Sequence, residues 1–237
     1  MRGMVLEVAG AAAGAGVLSM AWAVWGRSSC VFGPSVYRGV RDRRSIALTF
    51  DDGPSESTPE LLDLLAEYGA PATFFLCGEN VRRLPGVARE TARRGHEIGN
   101  HSYTHDWYCL RSAGFIREQL TKAQQAITEA TGVAPVFFRA PYGVRWFGLR
   151  KVQQQLGLTG VMWTEIGWDW KLPADRIVRR MVRAARNGAI LCLHDGRDTR
   201  PHPDIRPTLE AVRRLLPELM ARGFRFETVS QILCPTT

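Results

Sequence analysis

The sequence has no C-x-x-C pair and no nucleic-acid-binding motif, and only one long stretch of it is free of formal charge. Its five cysteines, an odd number, leave at least one thiol unpaired in any disulfide scheme. The cysteine pattern therefore does not decide the redox compartment. The hydrophobic fraction of 45% and the charged fraction of 23% are ordinary for a globular protein and argue against a disordered chain or a multi-span membrane protein.

The uncharged stretch runs from Val8 to Trp25. It is nearly as long as a bilayer-spanning helix, although Ala and Gly make it weakly apolar. It fits a membrane anchor, a signal peptide with a processing site at Ala21-Trp22-Ala23, or a soluble Ala-rich helix. The first two readings place the protein in the cell envelope, anchored to the membrane or secreted. Against export, only Arg2 precedes the stretch while several Arg residues follow it, which by the positive-inside rule favours the cytoplasm.

The length of 237 residues suits one large α/β domain. We predict an N-terminal signal peptide or membrane anchor at 1–27, a connector at 28–44, one folded domain at 45–233 and a tail at 234–237. The net charge of +8 would suit an anionic partner such as a cell-wall polymer, a phospholipid surface or nucleic acid. Because the Arg-Arg pairs recur mostly in helix-like stretches and no recognition motif accompanies them, we expect no nucleic-acid partner.

Short apolar runs alternate with longer amphipathic stretches, as in repeated β-α units. Strands are predicted at Ile46–Phe50, Ala72–Cys77, Glu97–Gly99, Val136–Arg139, Thr159–Trp163, Ala189–His194 and Phe224–Thr228. Helices are predicted at Pro59–Tyr68, Val81–Arg94, Gly114–Ala130, Val144–Leu156, Asp175–Arg186 and Pro207–Arg222. Polar residues follow several of these strands, as they do at the mouth of a barrel. The pattern favours a deformed, incomplete (β/α) TIM-like barrel with about seven parallel strands.

Two adjacent carboxylates, Asp51 and Asp52, end the first predicted strand in the run TFDDGP. Adjacent residues of an extended chain point in opposite directions, so one carboxylate could ligate a metal while the other acts as a base. The alternative is a turn with a helix cap, because Asp-Gly-Pro is ordinary turn chemistry.

Two histidines, His101 and His105, lie four residues apart in HSYTH. They could converge on one metal ion, with Glu97 and Asp106 as partners that fix their tautomers. Such a spacing also arises by accident. We interpret His96 as a loop or surface residue.

Three further motifs follow along the chain. In RAPYG, Arg139 precedes a turn that could aim a backbone N–H at an oxyanion. WDW spans 168–170. In LCLHD, strand alternation places Cys192 and His194 on the same side of a buried strand.

The ordered set TFDDG, HSYTH, RAPYG, WDW and LCLHD resembles the five motifs of the polysaccharide deacetylases, carbohydrate esterase family 4, also called the NodB homology domain. The resemblance covers about Ser45 to Ile232. It implies a metal-dependent hydrolase that removes acetyl groups from a glycan bearing N-acetylglucosamine-type residues, with peptidoglycan favoured and chitin-like oligomers second. Two alternatives are a deacetylase of a lipid-linked or small acylated sugar and a non-catalytic carbohydrate-binding protein.

The resemblance implies a role for each matching residue. Asp51 would be the general base, held by Arg139, while Asp52, His101 and His105 bind the metal. The backbone N–H of Tyr142 would polarise the acetyl carbonyl and His194 would be the general acid. Substrate contacts are expected from the following residues: Tyr142, Trp170, Cys192, Trp107, Trp168 and Asp169. Mixed N and O ligands are compatible with Zn²⁺, Co²⁺, Mn²⁺ or Ni²⁺, of which we expect Zn²⁺.

Two positions depart from the family pattern. Ile166 stands where the family usually has an acidic residue behind the catalytic histidine. Either Asp169 or Glu165 replaces that residue, or the pKa of His194 is lower than usual. Cys192 stands where the family commonly has Leu, and the smaller side chain would widen the pocket for the acetyl methyl group.

Overall fold

The computed structural model describes residues 2–235, with the side chains of the N-terminal helix from Gly14 onward. The strands are β1 Ser35–Val36, β2 Ser45–Gly53, β3 Thr73–Leu76, β4 Glu97–Asn100, β5 Phe137–Phe138, β6 Thr159–Val161, β7 Glu165–Ile166, β8 Ala189–His194 and β9 Arg225–Phe226. The helices are α1 Arg2–Trp25, α2 Thr58–Glu67, α3 Gly78–Arg83, α4 Pro85–Arg93, α5 Ala113–Thr131, α6 Leu149–Leu156, α7 Ala174–Ala184, α8 Arg206–Ala221 and α9 Val229–Leu233.

The strands form one sheet in the order β1-β6-β5-β4-β3-β2-β8-β7, and β9 also pairs with β2. Every paired strand in the described chain runs parallel to its neighbour. The sheet keeps two ends, β1 and β7, so it curls without closing. This confirms the incomplete (β/α) barrel.

Alternation along the central strand β2 separates the outside of the barrel from its interior. Ile46, Leu48 and Phe50 pack into the large core under the surrounding helices, whereas Ala47 joins a second cluster with Val229 of α9. Because side chains alternate between the two faces, Thr49 and Asp51 continue the interior row toward the carboxyl end of the strand. The fold thus directs Asp51 into the mouth of the barrel.

All seven predicted strands are present, and β1 and β7 are additional. Each of these two has only two residues, too few for alternation to reveal them. β1 falls within 28–44, the segment predicted as a connector, and pairs with β6. The division into domains otherwise stays a prediction.

Two predicted helices differ from the structure. The helix predicted at Val81–Arg94 is divided into α3 and α4, because Pro85 has no N–H and disfavours the helical conformation at Leu84, whose φ and ψ are −128° and 55°. The helix predicted at Val144–Leu156 begins only at Leu149, after Gly148 in the left-handed region.

His96 is not a surface residue, as its position in the sequence suggested. It is buried against Phe74, with ring centroids 5.2 Å apart, and its Nδ1 accepts a hydrogen bond from the backbone N–H of Ala72. Burial lowers its pKa to about 4, so it is neutral at pH 7.

No helix in the described part of the chain combines the length and apolarity needed to cross a membrane. The prediction of an anchor or signal peptide at Val8–Trp25 lies partly outside the described side chains and stays a prediction.

Candidate metal centre

Asp51 and Asp52, at the carboxyl end of β2, are both buried and belong to different parts of the site. Asp51 continues the barrel-facing row, while Asp52 adopts a left-handed φ of 72°. Gly53 follows because the chain has no room for a side chain there. A Cβ at Gly53 would lie 2.3 Å from Oδ2 of Asp195, a buried carboxylate that also accepts a hydrogen bond from Thr58.

His101 and His105 converge on Asp52. Their Nε2 atoms lie 3.3 Å and 3.0 Å from Asp52 Oδ1. The Nδ1 of His101 lies 2.7 Å from the backbone carbonyl oxygen of Arg139, which can only accept, so Nδ1 carries the proton. The Nδ1 of His105 lies 2.9 Å from Oδ1 of Asp198. Both contacts leave Nε2 facing the centre of the site, as partners of metal-bound histidines do.

The expected tautomer partners, Glu97 and Asp106, lie elsewhere. Glu97 bonds to Thr73 and Ser230, and Asp106 bonds to Thr104. Arg139 O and Asp198 take their place. Asp198 follows β8 in a loop and also holds Asp52, because its backbone N–H donates to Asp52 Oδ2 at 3.0 Å. Asp198 belongs to none of the five motifs and was not among the predicted site residues.

The three residues fit a divalent metal ion. One ligand atom from each of Asp52, His101 and His105 lies within 4.8 Å of the others. Oδ1 of Asp52 is buried and faces the Nε2 atoms of both histidines without a well-formed hydrogen bond, which is costly for a carboxylate oxygen unless a cation is bound. A carboxylate and two imidazoles are ordinary ligands for zinc and similar ions, and three protein ligands leave a position for water or substrate.

The charges of the site also favour a cation. Burial raises the pKa of Asp52, but the charge of His105 and the closeness of both imidazole rings to the carboxylate outweigh it and hold this pKa well below its usual range. Burial lowers the pKa of His105, but Asp52 and Asp198 outweigh it and raise the pKa to about 10. Without metal, a proton on His105 thus balances Asp52, and a metal ion would displace that proton.

Arg139 holds Asp51 inside the barrel. It is fully buried, and its Nη1 donates to Asp51 Oδ1 at 2.6 Å and to Thr49 Oγ1 at 2.8 Å. The guanidinium lies over the ring of Phe75, 4.2 Å from its centroid, with Trp163 at 5.6 Å. A buried arginine fixed by these contacts orients the Asp51 carboxylate rigidly.

Asp169 supplies the acidic partner of His194. Its Oδ1 lies 2.8 Å from His194 Nδ1, and its Oδ2 accepts from the backbone N–H of His194 at 2.8 Å and from Thr208 at 2.6 Å. Burial lowers the pKa of His194, but Asp169 outweighs it and raises the pKa to about 9. Of the three alternatives stated from the sequence, the structure supports replacement by Asp169 and excludes a lowered pKa of His194. Asp169 is buried and does not line the cavity, so its assignment as a substrate contact is corrected.

Glu165, the other candidate for the acidic partner of His194, does not have this role. Ile166 lines the cavity, while Glu165 forms an ion pair with Arg180 on the outside of the barrel.

Cys192 does not widen the pocket. It shares the interior side of β8 with His194, as predicted, but it is fully buried and is not among the residues that line the cavity. Its Sγ lies 3.4 Å from Asp51 Oδ2 and 3.5 Å from Arg139 Nη1. Burial and the nearby Asp51 raise its pKa well above the usual range, so it stays a thiol.

A cavity of about 670 Å³ opens above these groups and is lined by both carboxylates, His101, His105 and His194. Tyr142, at a left-handed φ of 57° in the turn Pro141–Gly143, projects its half-exposed ring into the cavity.

The rings of Trp168 and Trp170 stack beside His194, with their centroids 5.3 Å apart. The centroid of the Trp170 ring lies 4.9 Å from that of His194. Trp107 packs against Tyr142 but does not itself line the cavity. The cavity therefore brings together the predicted metal ligands, base and acid, with Tyr142, Trp168 and Trp170 beside them.

Comparison with known proteins identifies the family. The family model described as polysaccharide deacetylase matches residues 38–161. The chain belongs to the polysaccharide deacetylases. It is 37% identical over 199 residues to a peptidoglycan-N-acetylglucosamine deacetylase of Bacillus cereus, with 81% of this chain and 89% of that protein covered. It is 36% identical over 205 residues to a chitooligosaccharide deacetylase of Bradyrhizobium sp., with 83% and 94% covered.

Solved structures agree. The crystal structure of the Bc1960 peptidoglycan N-acetylglucosamine deacetylase superposes with a TM-score of 0.79 at 31% identity, covering 84% of this chain and 92% of that one. These similarities confirm the predicted family, its barrel fold and its class as a hydrolytic, metal-dependent deacetylase.

Proposed function

We propose that this polysaccharide deacetylase removes N-acetyl groups from N-acetylglucosamine residues of peptidoglycan, with a zinc ion held by Asp52, His101 and His105. The observation that carries the proposal is the combination in one cavity of a buried, unpartnered carboxylate oxygen between two histidines with a separate base and acid. When bound, the ion polarises the acetyl carbonyl and lowers the pKa of a water molecule.

The residues of the chain supply the proton transfers. Asp51, held by Arg139, accepts a proton from the attacking water as the new C–O bond forms. The backbone N–H of Tyr142 donates to the carbonyl oxygen as its negative charge grows. His194, charged at neutral pH because of Asp169, gives a proton to the amide nitrogen as the C–N bond breaks, which releases acetate and a free amine. Each proton transfer contributes roughly 10²- to 10⁴-fold in rate.

Aromatic side chains receive the sugar. Trp170, beside His194, forms the wall against which the acetyl methyl group packs. Tyr142 and Trp168 present half-exposed rings to the cavity and are suited to stack on sugar faces. Trp107 packs against the ring of Tyr142, with ring centroids 5.5 Å apart.

The choice of peptidoglycan over chitin-like oligomers is supported by charge, because relatives named for each of the two substrates match this chain about equally well. Arg197 and Arg200 line the cavity, and the Arg200 side chain is mostly exposed, with its Nη2 3.6 Å from Oδ2 of Asp198. Cations at this place favour a glycan that carries carboxylates, as the muramic acid residues of peptidoglycan do. Neutral chitin-like oligomers are the second candidate.

One alternative has lost part of its support, although the possible membrane anchor that also favoured it stays a prediction, and the other has lost the observation that favoured it. A small or lipid-linked sugar was suggested partly by a wider pocket at Cys192, but this side chain lies outside the cavity lining. A non-catalytic binding protein was suggested by Ile166, but Asp169 supports His194 instead. We therefore favour an active enzyme on a polymer.

The test is acetate release from peptidoglycan and from N-acetylglucosamine oligomers, measured together with the metal content of the purified protein. We expect acetate release that a chelator abolishes and that added zinc restores. Asp51→Asn should lower kcat by roughly 10²- to 10⁴-fold because the base is lost. Full activity of Asp51→Asn would overturn the assigned mechanism.

Asp175→Asn is a matched control, because Asp175 pairs with Arg214 at the surface of α7 and should leave kcat unchanged. Faster release from chitin oligomers than from peptidoglycan would overturn the choice of polymer without affecting the reaction class.

We also propose that the enzyme acts in the cell envelope, where peptidoglycan lies. Mass spectrometry of the mature N-terminus, together with fractionation of membranes, would test this location. A full-length protein in the cytosolic fraction would contradict it.

A further inference from the structure

The end of the N-terminal helix α1 reaches the catalytic cavity. Trp25, the last residue of this helix, lines the same cavity as Asp51, Asp52 and the histidines. It lies before residue 38, where the match to the family model begins. The family motifs therefore do not account for this side chain.

Packing and hydrogen bonds hold Trp25 in place. The two preceding residues, Ala23 and Val24, are buried in a core cluster formed with α5 and α6. The buried Arg145 donates hydrogen bonds to the backbone carbonyl oxygens of Ser29, at 2.6 Å, and Gly26. These contacts secure the chain on both sides of Trp25, so its ring has a defined position at the rim of the cavity.

Trp25 is the outer member of an aromatic row that starts at the metal site. Ring centroids are 4.6 Å apart between His105 and Tyr142, 5.5 Å between Tyr142 and Trp107, and 6.1 Å between Trp107 and Trp25. The three rings beyond His105 are 51%, 41% and 47% exposed, too open for core residues. Exposed aromatic rings that contact one another beside a cavity, two of them in its lining, are typical of a ligand-binding site.

The row lies on the metal side of the cavity, whereas Trp168 and Trp170 lie beside His194. A sugar whose acetyl group is being hydrolysed must occupy the space between these two sides. A neighbouring sugar of the same polymer would then extend over Tyr142 toward Trp25.

We propose that Trp25 is a specificity-determining residue that stacks on a sugar ring next to the deacetylated one, so that longer glycans bind better than short ones. This inference rests on the proposed function. The N-terminal segment thus completes the glycan groove in addition to any part in localisation.

The test compares steady-state kinetics on N-acetylglucosamine oligomers from the dimer to the hexamer. Trp25→Ala should raise KM for the hexamer roughly three- to tenfold, the value of one aromatic stacking contact, while KM for the dimer and kcat for both change little. Trp25→Phe should recover part of the affinity for the hexamer. Equal effects at all lengths, or none, would overturn the inference.

Trp22→Ala is the matched control. Trp22 lies on the same helix and is about as exposed as Trp25, but it does not line the cavity. Loss of hexamer affinity in Trp22→Ala equal to that in Trp25→Ala would point to a general effect on α1 and would also overturn the inference.

Binding measurements separate this inference from the proposed function. Hexamer binding to Asp51→Asn and to the double variant Asp51→Asn/Trp25→Ala can be measured by calorimetry, without turnover. If the wild-type protein releases no acetate but the double variant binds the hexamer three- to tenfold more weakly, the proposed reaction fails and the glycan contact stands. If acetate is released but the two variants bind equally, the contact at Trp25 fails alone.

Discussion

The two halves of the catalytic centre differ in what completes them. In the proton-transfer half, Asp51 is paired with Arg139 at 2.6 Å and His194 with Asp169 at 2.8 Å. In the metal half, Oδ1 of the buried Asp52 has no hydrogen-bond partner. Folding alone therefore completes the proton-transfer half, whereas the metal half must take up either a proton or a metal ion.

The difference is clearest in the two adjacent carboxylates of β2. Both are nearly inaccessible to solvent, and one peptide bond separates them. Asp51 has a permanent partner in a guanidinium that cannot lose its charge. Asp52 has two imidazoles, whose nitrogen atoms can be occupied by a proton or by a metal ion. The same residue type thus becomes a base in one half and a ligand in the other because of its partners.

The largest expected effect comes from replacing one carboxylate oxygen by an amide nitrogen in each half of the site. Asp52→Asn removes the anionic ligand, so we expect metal bound per chain to fall close to zero and activity to fall to that of the metal-free protein. Asp51→Asn should keep its metal and lose only the base. Metal analysis and acetate release on both variants check this contrast.

Equal metal loss in Asp51→Asn and Asp52→Asn would break the comparison, because the two halves would then act as one unit. Circular dichroism of both variants controls for misfolding.

A smaller effect is expected from Asp198, which supports the metal half without being a ligand. Its carboxylate lies 2.9 Å from His105 Nδ1 and accepts from the Tyr142 hydroxyl at 3.1 Å. Replacing a partner that orients a metal-bound histidine typically costs 10- to 100-fold in metal affinity. Asp198→Asn should therefore weaken zinc binding about 10- to 100-fold, measured by competition with a chelator.

Asp204→Asn serves as its control. Asp204 lies six residues further along the chain and bonds to Arg206 at the surface. Unchanged zinc affinity in Asp198→Asn would show that His105 is oriented without this carboxylate.

The sequence was sufficient for the groups that stand at the ends of regular strands. Asp51 and His194 were predicted at the mouth of the barrel because they stand at the ends of β2 and β8, strands that are long enough to be recognised in the sequence. The family motifs supplied the ligands Asp52, His101 and His105, whose convergence no spacing rule could establish.

The site residues and contacts that were not predicted from the sequence depend on contacts between distant segments of the chain. Asp198 lies in a loop without periodicity, and its contact with His105 spans more than ninety residues. Trp25 meets Trp107 in the same way, from a helix that precedes the motifs. Asp169 was recognised as part of WDW, but only the structure distinguishes its contact with His194 from a contact with substrate.

The smallest expected effect concerns the pH dependence set by Asp169 in the proton-transfer half. His194 has a pKa of about 9 in the folded protein, raised above its ordinary value of 6.5 by Asp169. Because the pKa is raised, the protonated acid is present below about pH 9 and is lost as the pH rises through that value. Asp169→Asn keeps a hydrogen-bonding side chain but removes the charge, so the alkaline limb of kcat should move from about 9 toward 6.5.

At pH 6 both forms of the enzyme keep His194 protonated, and their kcat values should be similar. At pH 8 the variant should be about tenfold slower, because most of its His194 has lost the proton. Asp175→Asn, a surface control, should leave the profile unchanged. Zinc content should be equal in all three proteins, since Asp169 belongs to the half that folding completes. If the alkaline limb of Asp169→Asn stays in place, Asp169 is not the cause of the raised pKa of His194. If this variant loses zinc, the two halves of the site depend on each other, contrary to the comparison drawn above.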